Sequence, residues 1–297
     1  MPSRSLSRLA MERLIRLGLR GLPDTPEGYD ALIRSSNHNT VPRLPHLRVA
    51  PSLLTLEGMP AFVFGAGSDA DQPTLLYLHG GSYFDNPILF HYEAAAALAA
   101  KSGWRVLLPL YGKIPQYSWR EDFPPLQTLL TQLTDRLPVE KVGLLGDSAG
   151  GGLVAGLLLE RIREGLALPG KCLLYSPWLD ATVSNPESEA IAPRDPMLAA
   201  WRLRICGKYW AGKDDPRIPP VSPLFGDPAG FPPTLLFTGT SELFCPDVQA
   251  FSARLEAAGV PQRLITGEDQ FHDYPLYPTA EGEAARAESV RFLKEGF

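Results

Sequence analysis

An apolar run, Lys141 to Leu145, leads directly into Gly146-Asp147-Ser148-Ala149-Gly150, and a helix of small residues opening Gly151-Gly152-Leu153-Val154-Ala155 follows without a linker. A strand that must reverse into a helix within five residues admits few folds. The turn needs small neighbours because it forces its central residue into a strained backbone conformation, and it leaves that residue's side chain standing above the sheet. Short apolar runs recur at Thr74 to Leu78, Arg105 to Leu110, Lys171 to Tyr175, Thr234 to Thr238 and Gln262 to Thr266. Helical patterns alternate with them near 90–101, 119–136, 149–165, 246–258 and 280–295. This alternation predicts an α/β fold with a mostly parallel central sheet flanked by helices.

Two segments break the rhythm. Residues 5–20 mix Leu6, Leu9, Met11, Leu14, Ile15 and Leu17 with Arg4, Arg8, Arg13, Arg16 and Arg20, the pattern of an amphipathic helix with a basic face. Such a helix can serve as a lid over a cleft, a membrane-surface or partner-binding element, or a targeting peptide; the lid is the reading taken. Residues 184–223 carry seven prolines around one aromatic helical stretch, Met197 to Trp210, and read as an insertion. The expected organisation is an N-terminal cap segment over residues 1–50 and a catalytic domain over 51–297, with 184–223 a second cap element above the sheet edge where such folds bind ligands.

A serine at that turn is set for nucleophilic attack, and the helix after it aims free amides at a developing oxyanion. A phosphate-binding loop is the bland alternative, but no Gly-Lys-Ser/Thr follows and no dinucleotide-binding spacing fits. Upstream, His79-Gly80-Gly81-Ser82-Tyr83-Phe84 follows a strand, and its glycines let backbone amides approach a ligand closely. His79 reads as an anchor of that loop rather than a base. His272, in Gln270-Phe271-His272-Asp273-Tyr274, is the only histidine after Ser148 and is the candidate base. Asp147 reads as scaffold for the turn, and Asp180 and Asp195 have no partner visible in the sequence.

The two motifs, their order and their separation resemble the bacterial hormone-sensitive-lipase-like esterases, a branch of the α/β-hydrolase superfamily, over nearly the whole chain. That family usually reads His-Gly-Gly-Gly in the upstream loop, so Ser82 is a departure, while Gly-Asp-Ser-Ala-Gly-Gly matches in full. The resemblance implies an α/β-hydrolase fold with a helical cap and a nucleophile, acid, histidine order. It implies an oxyanion hole from the amides of Gly81, Ser82 and Ala149, with Gly80 a less certain contributor. Between Thr240 and Asp247 it offers Glu242 as the triad acid and Asp247 as the fallback; a first-turn helix acid is the structural alternative for Asp247. Tyr83 and Phe84 are the aromatic residues expected to line the substrate pocket.

The resemblance implies hydrolysis of short- to medium-chain carboxylic esters through an acyl-enzyme, with no metal and no cofactor. An amidase, lactonase or deacetylase of the same fold, or a non-catalytic binding homologue, stays open at this stage. A net charge of −5, with no basic cluster beyond the N-terminus, argues against nucleic acid as a partner. Cys172, Cys206 and Cys245 are scattered and odd in number, so cytoplasmic residence is expected. No run approaches the roughly 20 apolar residues of a membrane span. A homodimer through the sheet edge or the C-terminal helix is compatible with the sequence but not demanded by it.

Overall fold

The computed structural model describes residues 7–297 apart from 45, 46, 48 and 68. Arg4 and Leu6 of the basic helix, and parts of the 1–50 segment, therefore lie outside the described residues. Eight strands among the described residues form one sheet: β1 (Ser52–Leu56), β2 (Met59–Phe64), β3 (Thr74–Leu78), β4 (Arg105–Pro109), β5 (Val142–Asp147), β6 (Lys171–Tyr175), β7 (Thr234–Gly239) and β8 (Gln262–Gly267). Their spatial order is β1-β2-β4-β3-β5-β6-β7-β8. Strands β3 to β8 are parallel, and β2 pairs antiparallel with both β1 and β4.

Side chains alternate across a strand, so each buried strand feeds two cores. Leu76 and Leu78 of β3, Leu144 of β5 and Leu174 of β6 join one apolar cluster, while Leu75, Tyr77, Leu145 and Leu173 join the other. The first core is closed by α4 (Trp119–Arg136), α5 (Ser148–Glu164) and α8 (Cys245–Ala257). The second is closed by α3 (Leu89–Ser102) and α9 (Ala280–Glu295). Each fully buried leucine contributes about 1.5–3 kcal/mol relative to exposure, so burial on both faces fixes the sheet's register.

Two features of the sheet differ from the sequence expectation. The hairpin β1–β2 has no counterpart in it: β1 is largely exposed, so its leucines show no one-sided pattern. Glu57 and Gly58 turn the hairpin, both with positive φ (48° and 78°), as a tight two-residue turn requires. The second difference is at β5, which runs two residues beyond Leu145 and delivers Ser148 immediately at its C-terminal end.

The amphipathic N-terminal stretch forms α1 (Arg8–Gly18), capped by Ser7, whose hydroxyl accepts from the Ala10 amide. A second helix, α2 (Pro26–Ser35), starts on Thr25 with proline in its first turn. The 184–223 stretch contains α6 (Pro186–Ile191) and α7 (Ala200–Ala211). Helix α7 starts three residues later than Met197, and in the turn before it the Asp195 carboxylate accepts from the amides of Met197 and Leu198 at 2.8 and 2.9 Å. Helices α2 and α7 pack together: Tyr29 meets Trp201 edge-on, Arg202 donates to the Pro23 carbonyl at 2.9 Å, and Tyr209 donates to Asp30 at 2.7 Å. Among the described residues no helix is long and apolar enough to cross a membrane.

Candidate active site

Four chain segments meet at the C-terminal ends of the parallel strands. Ser148 follows the last residue of β5 and opens α5 with φ of 50°, a left-handed conformation costing of order 1–3 kcal/mol in a non-glycine residue. Close packing holds it there. A Cβ on Gly146 would overlap the Gly150 carbonyl oxygen, and one on Gly150 would overlap that of Leu78. The Ser148 carbonyl is tied down by the Trp178 amide at 2.8 Å.

His272 enters from the loop after β8, and its Nε2 lies 2.9 Å from Ser148 Oγ. Its Nδ1 lies 2.7 Å from Glu242 Oε2, in the loop after β7. The other carboxylate oxygen of Glu242 accepts from the Thr238 hydroxyl and from the Gly239 amide at 3.1 Å. Those donors hold the carboxylate facing the imidazole, which sets the tautomer with hydrogen on Nδ1 and a lone pair toward the serine. Ser148, His272 and Glu242 are all buried. Asp247 is placed elsewhere: it sits in the first turn of α8, accepts from Asn185 Nδ2 at 2.8 Å, and does not reach His272.

The loop after β3 passes over Ser148 with Gly81, Ser82 and Tyr83 all at positive φ. Among the described residues the amides of Gly81 and Ser82 have no acceptor, and that of Ala149 lies in the unpaired first turn of α5. Gly80 differs, because its amide donates to Asp147 Oδ2 at 2.9 Å and is already committed. The same oxygen meets His91 Nε2 at 3.1 Å, while His91 Nδ1 accepts the Ile88 amide. Asp147 is thus a scaffold joining α3, the glycine loop and the serine turn. His79 stacks on Tyr111 with ring centroids 4.7 Å apart and bonds the Gly80 carbonyl. Burial, then Lys113 and His91, drive the His79 pKa well below its ordinary value, so it remains neutral.

A cavity of about 710 Å³ opens above this group. Its floor holds Gly81, Ser82, Ser148, His272 and Asp273; Met11, Leu14 and Ile15 of α1, with Leu19 just past its end, form one wall, and Met197, Leu198 and Leu203 another. Tyr83 and Phe84 are not among its walls, which corrects their expected role as pocket residues. The Tyr83 ring lies parallel to Trp210 at 4.0 Å and stacks on Trp178 at 5.4 Å, fully inside the core. Their positions follow the geometry of the loop, whose left-handed turn swings both rings inward while Ser82 faces the cavity.

One polar residue, His91, escapes the sequence reading, and two that it left without partners, Asp195 and Asp180, have them in the structure. His91 lies in the alanine-rich helix α3, with no motif or spacing around it that marks a role. Asp195 accepts from the Leu243 amide at 2.9 Å and so couples the 184–223 stretch to the loop that carries Glu242. Asp180 accepts the amides and hydroxyls of Thr182 and Ser184, a local Asp-x-Thr-x-Ser signal that was readable.

Residues 75–276 match the alpha/beta hydrolase fold family. The chain belongs to that family. This hydrolase is 32% identical to an acetyl-hydrolase of Streptomyces hygroscopicus over 74% of both chains. It is 26% identical to an esterase of Acinetobacter venetianus over 83% of its own length and 81% of the relative's. Among solved structures, an esterase of the bacterial hormone-sensitive lipase family superposes with a TM-score of 0.84 at 27% identity, covering 97% of each chain. The fold and the hormone-sensitive-lipase-like branch implied by the two sequence motifs are both borne out.

Proposed function

We propose that this ester hydrolase works through Ser148 as nucleophile, His272 as general base and acid, and Glu242 as the acid that orients the imidazole. The observation that carries the reading is the unbroken line Ser148 Oγ, His272, Glu242 at 2.9 and 2.7 Å, with Ser148 and His272 on the floor of the cavity and Glu242 behind them. His272 removes the serine proton as Oγ attacks the ester carbonyl, and the carbonyl electrons move onto an oxyanion held by the amides of Gly81, Ser82 and Ala149. His272 then returns the proton to the departing alcohol, and a water activated by the same nitrogen releases the acid from the acyl-enzyme.

We assign α1 and α2 together with the 184–223 stretch as a two-part cap. The apolar walls that α1 and the 184–223 stretch lend to the cavity support this, and a bounded volume favours short- to medium-chain acyl groups. Three buried, unpaired thiols suit a reducing compartment, and we place the protein in the cytoplasm.

Hydrolysis of p-nitrophenyl esters of increasing acyl length tests the proposal, with Ser148→Ala and His272→Ala beside the wild type. Loss of activity in both variants and a preference for the shorter esters is expected. An inert wild type that still reacts with a covalent serine probe overturns the substrate class, and failure to label overturns the nucleophile.

A further inference from the structure

Asp273, the residue after His272, forms no bond in the acyl transfer itself. Its Oδ2 nevertheless lies 3.2 Å from His272 Nε2, the same nitrogen that faces Ser148. A neutral imidazole that gives its Nδ1 hydrogen to Glu242 has only a lone pair at Nε2. That lone pair accepts the serine hydroxyl but repels an ionised carboxylate at contact distance. The contact becomes attractive only when a proton lies between them.

We propose that Asp273 is a positioning residue that holds a proton at Nε2 of His272, so that the imidazolium carries a carboxylate on each of its nitrogens. The proposal rests on reading Ser148 as nucleophile and His272 as base. Two consequences follow from the one contact. In acidic solution the extra proton occupies the lone pair that must accept the Ser148 hydrogen, and the nucleophile is not activated. Once that proton is lost, His272 is a stronger base, because the imidazolium formed as Oγ bonds to the acyl carbon is met at both nitrogens. The serine proton moves to Nε2, and no further proton or electron is required.

The placement of Asp273 is over-determined. Its backbone is left-handed (φ 56°), its amide donates to Ser176 Oγ at 3.1 Å, and it is 6% exposed. Its Oδ1 is buried without a hydrogen-bond partner among the described residues, which leaves His272 as the partner of the carboxylate. Glu242, from the loop after β7, and Asp195, from the 184–223 stretch, also act on His272. Asp147, His91, Tyr77 and Tyr277 face Asp273 from β5, α3, β3 and the loop before α9. Asp147 is held by the Gly80 amide and by His91 Nε2, both through its Oδ2. Burial pulls the His272 pKa down, but Asp273 first and Glu242 second more than reverse it, while burial raises the Asp273 carboxyl to about 7, so the two groups take up the proton at their contact as a pair.

The test is the pH dependence of kcat/KM for p-nitrophenyl butyrate and of Ser148 labelling by a fluorophosphonate, from about pH 5 to 9. In the wild type the acid limb should have its midpoint above about 6.5, the ordinary histidine value. Asp273→Asn keeps the backbone, since asparagine accepts left-handed geometry, and should move the limb toward acid by about one pH unit or more. Asp273→Glu should move it part of the way back. A purely structural role would lower the plateau and leave the limb in place. A wild-type limb at or below about 6.5, or an unmoved limb in a folded Asp273→Asn protein, overturns the proposal. Should Asp273→Asn fail to fold, Asp273→Ser is read in the same way. Wild-type rates in Ser148→Ala or His272→Ala overturn the triad itself, whereas dead variants with an unmoved limb overturn only the role of Asp273.

Discussion

Replacing Glu242 with glutamine changes one atom type and should nearly abolish catalysis, because the surroundings dictate which way the new amide points. Oε1 of Glu242 accepts from two donors, the Thr238 hydroxyl and the Gly239 amide, while Oε2 faces His272 Nδ1. Glutamine has one acceptor oxygen and one donor nitrogen. Turning the nitrogen toward Thr238 and Gly239 would oppose donor to donor in a buried site, costing about 1–3 kcal/mol for each group left unpaired. The oxygen therefore stays with that pair and the amide nitrogen is presented to His272. It can only donate, so the imidazole adopts the tautomer with hydrogen on Nε2, which cannot take the serine proton. A wrong tautomer costs roughly 10⁴ in kcat, or about 5.4 kcal/mol at 1.36 kcal/mol per decade. KM should change little, since the residue does not line the cavity. Glu242→Asp keeps the charge but cannot span both Thr238 and His272, and a misplacement of that kind costs about 100-fold. Stopped-flow ester hydrolysis, with circular dichroism to confirm the fold, measures both. Glu242→Gln retaining more than about a tenth of wild-type kcat would refute the tautomer argument.

Asp247→Asn should leave activity intact, because Asp247 is bound to Asn185 rather than to His272. Burial lifts the Asp247 pKa from 3.8 to about 6, so the folded protein binds that proton more tightly than the unfolded chain. Stability attributable to it therefore falls as pH rises between about 4 and 6, and Asp247→Asn should not lower the melting temperature at pH 8. A melting temperature lowered at pH 8 but not at pH 4.5 would reverse that sign. Trp210→Ala removes a fully buried ring stacked on Tyr83 and should destabilise by about 3–5 kcal/mol in urea unfolding. Replacing Leu14, Ile15 and Leu19 with alanine lowers one cavity wall and should shift the preferred ester toward longer acyl chains without changing the acid limb. An unchanged chain-length profile would remove α1 from substrate selection.

Residues whose chemistry is set by near neighbours were legible. Strands β3 and β6 and helices α4 and α9 fall where their apolar periods put them, and the serine turn is local because its small residues are contiguous. Glu242 lies in line with His272, and the Ser82 amide has no acceptor among the described residues. What was illegible depends on contacts distant in sequence. Asp195 reaches Leu243 across 48 residues and His91 reaches Asp147 across 56, and neither has a periodic or spacing signature. Tyr83 misled because an aromatic residue beside a glycine loop reads alike whether its ring faces ligand or core. Its left-handed φ of 58°, which chooses between them, belongs to the folded loop.

The stack of Tyr83 on Trp210 bears on how a lineage built on this scaffold can change what it accepts. Tyr83 belongs to the loop carrying the free amides, and Trp210 belongs to α7, so the two structures share one buried surface. Mutational drift in the buried face of α7 is thereby yoked to the reaction centre, and variants that reshape it risk losing turnover. Helix α1 is differently tethered: Met11 is its one fully buried residue, and Arg8 fastens its start to the Asp269 carbonyl. Leu14 stands half exposed at the cavity rim. Innovation in substrate range has a low-risk route through the N-terminal helix, while α7 is held to its present form by the turnover it supports.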